Sequence, residues 1–274
     1  MTELAELVEI GAIVSDNSCP FPHYKRKKRN LKNKWDNNSS TLGENLEGAS
    51  AEGEKLYLKH VESVTIATGA SGRKNYTASY NPHHLLPGEA SWPQTKLKRW
   101  MDEADGDVEE DIGYDVNCYQ NGIDLPSNNE MRGNWKIEDG RTPDFQVRYA
   151  FAAMDAAGRR RQFHDSHKAY SDFAVKVLDK ISAKLDNQES MGGLGCSDED
   201  CVGKKAKKKY PTPFGLLSRV HASSKRLAGF LMGDARKWKM PIMTSKFSLM
   251  YKDRRLTHDE ARDLLDPEAW QQRY

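Results

Sequence analysis

The spacing of apolar residues predicts two consecutive helices in the centre of the chain. Thr142-Pro143 has the form of a helix start, with apolar positions on one face from Phe145 to Ala153 and with Gly158 as a stop. The helix that follows is the clearest in the chain, because a single apolar stripe runs over four turns. That stripe comprises Tyr170, Phe173, Ala174, Val177, Leu178, Ile181 and Leu185.

Shorter segments have the composition of strands. Residues 76–80 are rich in β-branched and aromatic side chains and end at Asn81-Pro82, and residues 242–251 are also strand-like. Asn121-Gly122 favours a hairpin, because Asn-Gly readily supplies the positive φ of a tight turn.

Changes in composition divide the chain into three predicted segments. Residues 1–75 are rich in polar residues and form an N-terminal appendage, and residues 76–186 form the central domain. Residues 187–274 form a mostly helical extension after a Gly-rich and Lys-rich linker. Within the extension, residues 216–231 have helical spacing, and Thr257 with Glu260 forms a capping box that opens a last helix.

Composition excludes a membrane span and a secretory signal. The chain has 274 residues, of which 37% are hydrophobic and 30% charged, so we expect a folded centre with solvated arms. The longest apolar run, Tyr149 to Met154, is far shorter than the roughly 18 residues that cross a bilayer. Residues 1–14 lack a basic start and an apolar middle, so we expect synthesis in the cytoplasm without a signal peptide.

Charge is sorted into blocks although the formal net charge is only +2. Basic residues concentrate in residues 25–34, 159–161 and 204–209, and acidic residues in residues 102–111. Such blocks are compatible with a polyanionic partner, and they are equally compatible with solvated faces or tails.

The four cysteines do not indicate a disulfide framework. Cys19, Cys118, Cys196 and Cys201 are too few and too unevenly placed, so we expect a fold that does not depend on oxidation. Four residues separate Cys196 from Cys201, and this spacing favours a mobile loop over a local disulfide or a metal site.

The histidines are the informative chemical feature. His83 and His84 follow the short strand, and His164 and His167 stand three residues apart at the head of the long helix, on the inward extension of its apolar stripe. Imidazoles turned toward the interior suit a metal, and a third ligand could come from the strand end, where one of His83 and His84 can hold the metal while the other faces a substrate. Either pair alone is no more than chance, but together they indicate a metal or catalytic role.

Three motifs within residues 76–186 resemble the AHH family of nuclease toxins, a branch of the HNH, ββα-metal or His-Me finger, endonucleases. They are Asn81-Pro-His-His-Leu-Leu-Pro87, Asn121-Gly-Ile-Asp-Leu-Pro126 and Phe163-His-Asp-Ser-His-Lys-Ala-Tyr170. Three details depart from the family pattern: Pro82 replaces the usual alanine, the paired histidines are three rather than four residues apart, and about forty residues separate Leu125-Pro126 from His164. The resemblance implies an α+β fold, with a ββα-metal core and additional, mostly helical flanking segments.

The same resemblance implies roles for the site residues. His84 is the general base, Asn121 fixes the loop that orients it, and His83, His164 and His167 hold one divalent cation. From the residues alone, Asn121 is equally well explained as a turn residue. An all-imidazole ligand set favours Zn²⁺ or Ni²⁺ by ligand softness, and Mg²⁺ or Mn²⁺ stays open.

In function, the resemblance implies a metal-dependent, weakly sequence-specific DNA endonuclease that acts as a bacterial antagonistic toxin. Such an effector is exported by a type VI or related secretion system and acts in the cytoplasm of the target cell. It implies a cognate immunity protein and an adaptor or spike protein for delivery, with no membrane partner. Arg159, Arg160 and Arg161 would then contact the DNA backbone, unless they form only a solvated surface.

Two other functions fit the same residues. One is a noncatalytic, zinc-stabilised nucleic-acid-binding module, in which the histidines serve folding. The other is an RNase with the same fold. No strand-linked, Gly-rich phosphate loop is present, so the sequence does not indicate a nucleotide cofactor.

Overall fold

The structure is a computed structural model, and it describes residues 19, 21, 30–53, 56–58, 62–68, 72–129, 143–165, 167–195, 201 and 209–256. The strands among them are β1 (Glu62–Thr68), β2 (Gly72–His84) and β3 (Gly122–Ser127), which form a sheet in the order β1-β2-β3. The α-helices are α1 (Ser39–Ala51), α2 (Gly88–Ser91), α3 (Pro143–Ala156), α4 (Lys168–Gly195), α5 (Leu216–Leu231) and α6 (Lys246–Leu256). The predicted α+β class is thereby confirmed.

The chain forms two compact units, and each is built from three separate stretches. The first comprises Met1–Asn38, His84–Asn121 and Ser171–Arg226, and the second comprises Ser39–His83, Gly122–Tyr170 and Leu227–Tyr274. Each unit therefore takes residues from all three of the segments that composition predicts.

The second unit has its core between the sheet and helix α3. β1 and β2 pair as an antiparallel hairpin from Glu62 opposite Ala78 to Thr68 opposite Gly72. Helix α3 packs on β1 and β3, and α6 packs on α3. The start and the stop of α3 are as predicted, since the helix begins at Pro143 and Gly158 follows its end with a φ of 76°.

The first unit contains most of the long helix α4, whose predicted apolar stripe is buried along its full length from Tyr170 to Leu185. The carboxylate of Asp179 accepts hydrogen bonds from the hydroxyl of Thr95 and the backbone N–H of Lys96, both at 2.8 Å. The hydroxyl of Thr95 also accepts from the backbone N–H of Leu97 at 3.2 Å, and this bond caps the short 3-10 helix Lys96–Trp100. The predicted helix over residues 216–231 is also confirmed, as α5.

Two predicted elements are wrong. Residues 242–251 are not a strand, because Ser245 accepts a hydrogen bond from the backbone N–H of Ser248 and so starts helix α6 at Lys246. Asn121-Gly122 does not turn a hairpin: a 3-10 turn, Tyr119–Asn121, leads directly into β3. A Cβ on Gly122 would lie 2.5 Å from Cδ1 of Leu42 in α1, so the glycine is required by close packing.

Other predictions lie outside the described residues, namely the N-terminal residues 1–14, the capping box at Thr257 and Glu260, and Cys196. Among the helices of the described stretches, none combines the length and the apolar character that a membrane crossing requires.

Candidate functional site

His83 lies at the C-terminal end of β2 and is 2% exposed. The strand is held in place beside β3 by buried side chains, because the Ser79 hydroxyl donates to the carbonyl of Ser127 at 3.4 Å. The hydroxyl of Tyr149 in α3 reaches the carbonyls of Thr77 and Ser127 at 3.0 and 3.1 Å. The imidazole of His83 is therefore presented from a rigid strand end.

His164 and His167 lie on the segment between α3 and α4, and neither belongs to a helix. The prediction that both stand on the face of the long helix is therefore wrong, since α4 begins only at Lys168. The backbone N–H of His164 donates to the carbonyl of Pro126 at 2.7 Å, and that of Asp165 donates to the carbonyl of Thr244 at 3.1 Å. Pairing with the end of β3, and not helical periodicity, directs these side chains toward His83.

The three imidazoles converge on one point. The ring centroids lie 4.8 Å apart for His83 and His164, 5.0 Å for His83 and His167, and 5.1 Å for His164 and His167. The Nε2 atoms of His164 and His167 are 3.1 Å apart, and one ligand nitrogen from each of the three residues lies within 4.8 Å of the others. These three histidines form a group that could hold a metal ion.

The geometry of the cluster fits a small divalent cation. With metal–nitrogen bonds of about 2.0–2.1 Å, neighbouring ligand nitrogens lie about 3.0–3.4 Å apart and the ring centroids about 4.5–5.2 Å apart. The centroid separations of 4.8, 5.0 and 5.1 Å and the Nε2–Nε2 distance of His164 and His167, 3.1 Å, fall inside these ranges. The ligand nitrogens of all three residues lie within 4.8 Å of one another, so a bound cation would draw His83 and the pair closer together. Within the described part of the chain no fourth ligand joins the group, so a cation held by these three imidazoles would keep further coordination positions open.

Electrostatics also favour metal binding. Burial lowers the pKa of His167 below its usual value, so its ring is neutral and keeps a lone pair near pH 7. The ring of Tyr170 packs 5.2 Å from that of His83 and 5.8 Å from that of His167, and burial raises the pKa of its phenol. The cluster thus has a neutral, apolar wall on this side.

His84 follows His83 in the chain and belongs to the first unit, where it is 8% exposed. Its Nε2 lies 2.9 Å from Oδ1 of Asn117. Burial lowers the pKa of His84, and the hydrogen bond to Asn117 offsets only part of that effect. The imidazole is therefore neutral at pH 7, as a general base must be.

The partners of Asn117 define which nitrogen of His84 carries the proton. Oδ1 of Asn117 also accepts from the backbone N–H of Asn38 at 2.8 Å, and its Nδ2 donates to the carbonyl of Asp36 at 2.9 Å. Both backbone groups fix the orientation of the amide, so the oxygen faces His84 and accepts from it. Nε2 of His84 therefore carries the hydrogen, and the lone pair of the neutral ring is on Nδ1.

Asn121 is fully buried and holds the segment that follows His84. Its Oδ1 accepts from the backbone N–H of Leu86 at 2.9 Å and from the hydroxyl of Ser224 at 3.0 Å. Its Nδ2 donates to the carbonyls of Leu86 and Val116 at 3.1 and 2.8 Å. Its own carbonyl accepts from the N–H of Leu85 at 2.8 Å, so Asn121 binds this segment from the backbone and the side chain together.

The three arginines before His164 have different surroundings. Arg159 and Arg160 are exposed, and Arg159 forms an ion pair with Asp155 at 3.0 Å. Arg161 is buried, and its Nη1 donates to the carbonyls of Leu56 and Asp124 at 2.9 and 2.7 Å. An arginine that donates to two backbone carbonyls belongs to the interior. Of the three arginines, only Arg159 and Arg160 lie on the surface, where contacts to phosphate would be made.

Sequence reasoning missed Asn117. The signal was present, since Asp115-Val116-Asn117 places two polar residues on either side of a buried valine just before the Asn121 motif. Buried polar side chains of this kind need partners, and here a partner is an imidazole.

In comparisons with protein-family models, curated proteins and solved structures, the chain matches none.

Proposed function

We propose that the chain is a metal-dependent endonuclease with a ββα-metal core, which hydrolyses phosphodiester bonds of DNA with weak sequence preference. The observation that carries the proposal is the convergence of His83, His164 and His167 at distances that fit one divalent cation. A second observation supports a catalytic use: the residue after His83 is a neutral histidine whose base nitrogen is defined by Asn117.

Each residue then has a chemical task. When bound, the divalent cation acts as a Lewis acid that stabilises the negative charge developing on the phosphate. His84 accepts a proton from the attacking water at Nδ1, while Asn117 and Asn121 keep its ring and its segment in place. Arg159 and Arg160 bind the phosphate backbone, which gives an affinity that falls with salt and little sequence preference.

The proposal extends to the biological role that the sequence motifs imply. The chain would serve as an antagonistic toxin of bacteria, delivered by a type VI or related secretion system with an adaptor or spike protein. An immunity protein would protect the producer, and an acidic surface would suit it to the exposed arginines. Co-purification of the toxin with the product of the neighbouring gene, and loss of toxicity when both are expressed, tests this part.

The experiment is nicking of supercoiled plasmid with EDTA, Mg²⁺, Mn²⁺, Ni²⁺ or Zn²⁺. His84→Ala should lower the cleavage rate by about 10²–10⁴-fold, because it removes the general base, while metal binding measured by calorimetry is retained. His164→Ala should abolish both. His221→Ala is the matched control, because His221 contacts Cys118 and takes no part in the three-histidine cluster or in the contacts of His84. This variant should cleave plasmid at the wild-type rate.

The alternatives have distinct outcomes. A noncatalytic, zinc-stabilised binding module would retain DNA binding without cleavage under every metal, and its His84→Ala variant would behave as the wild type or release the metal and unfold. An RNase would cleave RNA in preference to duplex DNA when the two substrates compete.

A further inference from the structure

Two cysteines from distant parts of the chain meet in the first unit. The Sγ atoms of Cys19 and Cys201 lie 3.5 Å apart, although 182 positions separate the residues in sequence. Cys19 is half-buried and Cys201 is buried. The two sulfur atoms are therefore in van der Waals contact, close enough to bond after a small side-chain rotation.

An aromatic cluster of the first unit includes a residue close to Cys19 in the sequence. Phe21, two residues after Cys19, is 5% exposed and stacks on the ring of Tyr210 at a centroid distance of 5.1 Å. Tyr210 is itself fixed by its backbone, which donates to the carbonyl of Asp107 at 2.6 Å and accepts from the N–H of Glu109 at 2.8 Å. Both rings pack near Trp100, at 6.1 and 5.6 Å. Phe21, two residues after Cys19, is thus anchored in a cluster with Trp100 and Tyr210.

We propose that Cys19 and Cys201 form a disulfide when the protein meets a small-molecule disulfide such as oxidised glutathione. The proposal goes beyond the expectation that the fold does not depend on oxidation, and it pairs Cys201 with Cys19 rather than with Cys196. The inference does not depend on the nuclease proposal, because it concerns a different part of the first unit.

The chemistry is a pair of thiol–disulfide exchanges. The more exposed thiol, Cys19, loses its proton and attacks one sulfur of oxidised glutathione, which releases one glutathione thiolate. Cys201 then loses its proton and attacks the Cys19 sulfur of the mixed disulfide, which releases the second glutathione. One protein S–S bond forms, and two electrons and two protons leave on two molecules of reduced glutathione.

The test uses the full chain, reduced, freed of reductant and then exposed to oxidised glutathione. Digestion with trypsin and Asp-N protease separates Cys196 from Cys201, because Asp198 and Asp200 lie between them. Non-reducing mass spectrometry should find a peptide pair that joins Cys19 to Cys201. The melting temperature should rise by about 5–10 °C over that of the reduced protein, since the bond closes a very long loop.

Variants make the result specific. Cys19→Ser and Cys201→Ser should each abolish the cross-linked peptide and the rise in melting temperature. Cys118→Ser is the matched control and should behave as the wild type, because burial raises the pKa of the Cys118 thiol to about 11 and suppresses exchange. A bond between Cys196 and Cys201, glutathione retained on Cys19, or thiols that do not react would each overturn the proposal.

Discussion

Replacing Asn121 with alanine removes four side-chain hydrogen bonds from a fully buried position. The alanine methyl cannot replace the hydrogen-bond partner of the Leu86 N–H, the Leu86 carbonyl or the Val116 carbonyl. Leaving one buried polar group without its partner costs about 1–3 kcal/mol. Some relaxation follows, so we expect Asn121→Ala to lower the free energy of unfolding by about 3–5 kcal/mol.

The assay is thermal unfolding followed by circular dichroism. In a chain of this size each kcal/mol shifts the melting temperature by about 2–4 °C, so the expected loss is about 10 °C. Ser224→Ala is the matched control, because it removes only the hydroxyl donor and leaves Oδ1 of Asn121 bonded to Leu86. It should cost no more than about 1.5 kcal/mol.

The same variant separates two roles of Asn121. Below its melting temperature Asn121→Ala should cleave plasmid more slowly than the wild type, since the segment after His84 has lost its side-chain anchor. A melting temperature within about 2 °C of the wild type would refute the reasoning, because the amide would then not hold Leu86 and Val116.

Four further predictions concern neighbouring polar groups. Asn117→Leu should remove the acceptor that keeps hydrogen on Nε2 of His84, so nitrogen NMR of the metal-free protein should show a mixture of tautomers where the wild type shows one. Metal-free protein should lose stability as the pH falls below about 6.5. Burial lowers the pKa values of His84 and His167 in the folded state, so below this pH the unfolded state binds protons that the folded state does not. Burial raises the pKa of Asp124 to about 6, so as the pH falls this carboxyl is protonated in the folded state before it is protonated in the unfolded state, and this opposes the loss of stability. Asp124→Asn removes the opposing effect and should steepen the decline in melting temperature between pH 7.5 and 5.5. Arg161→Met should destabilise the fold by about 1–3 kcal/mol in urea unfolding, because it removes the Arg161 donor from the buried carbonyl of Asp124, whereas the carbonyl of Leu56 keeps the backbone N–H of Asp124 as a donor.

Helices were the part of the fold that the sequence predicted best. α3, α4 and α5 each bury one stripe of residues, and that stripe is visible as a 3.6-residue period. Helix α6 was missed because most of its central residues are buried, so its apolar run has no polar face to reveal the period. Its start depends on the Ser245 cap, which is a local contact that the apolar pattern does not contain.

The sequence predicted which residues form the candidate site, but not the contacts that bring them together. His83, His164 and His167 are the histidines that come together, but a bridge between Ser127 and His164 positions the pair, whereas the spacing suggested one helical face. Such a bridge joins residues far apart in sequence, so no local pattern records it. Asn117 was missed for the same reason, because its partners are all distant backbone or side-chain groups.

The ligands of the candidate metal centre come from two places in the chain, with His83 at the end of β2 and His164 and His167 beyond β3. On the ribosome the first histidine emerges long before the other two, and a nascent chain cannot assemble the cluster until β3 and the segment after α3 have been synthesised. Binding of a metal at this centre would consequently come late in the synthesis of the chain. Any cation that binds the folded form alone also draws the chain toward that form by mass action, so the ion concentration in a cell would help to determine how much active protein accumulates there.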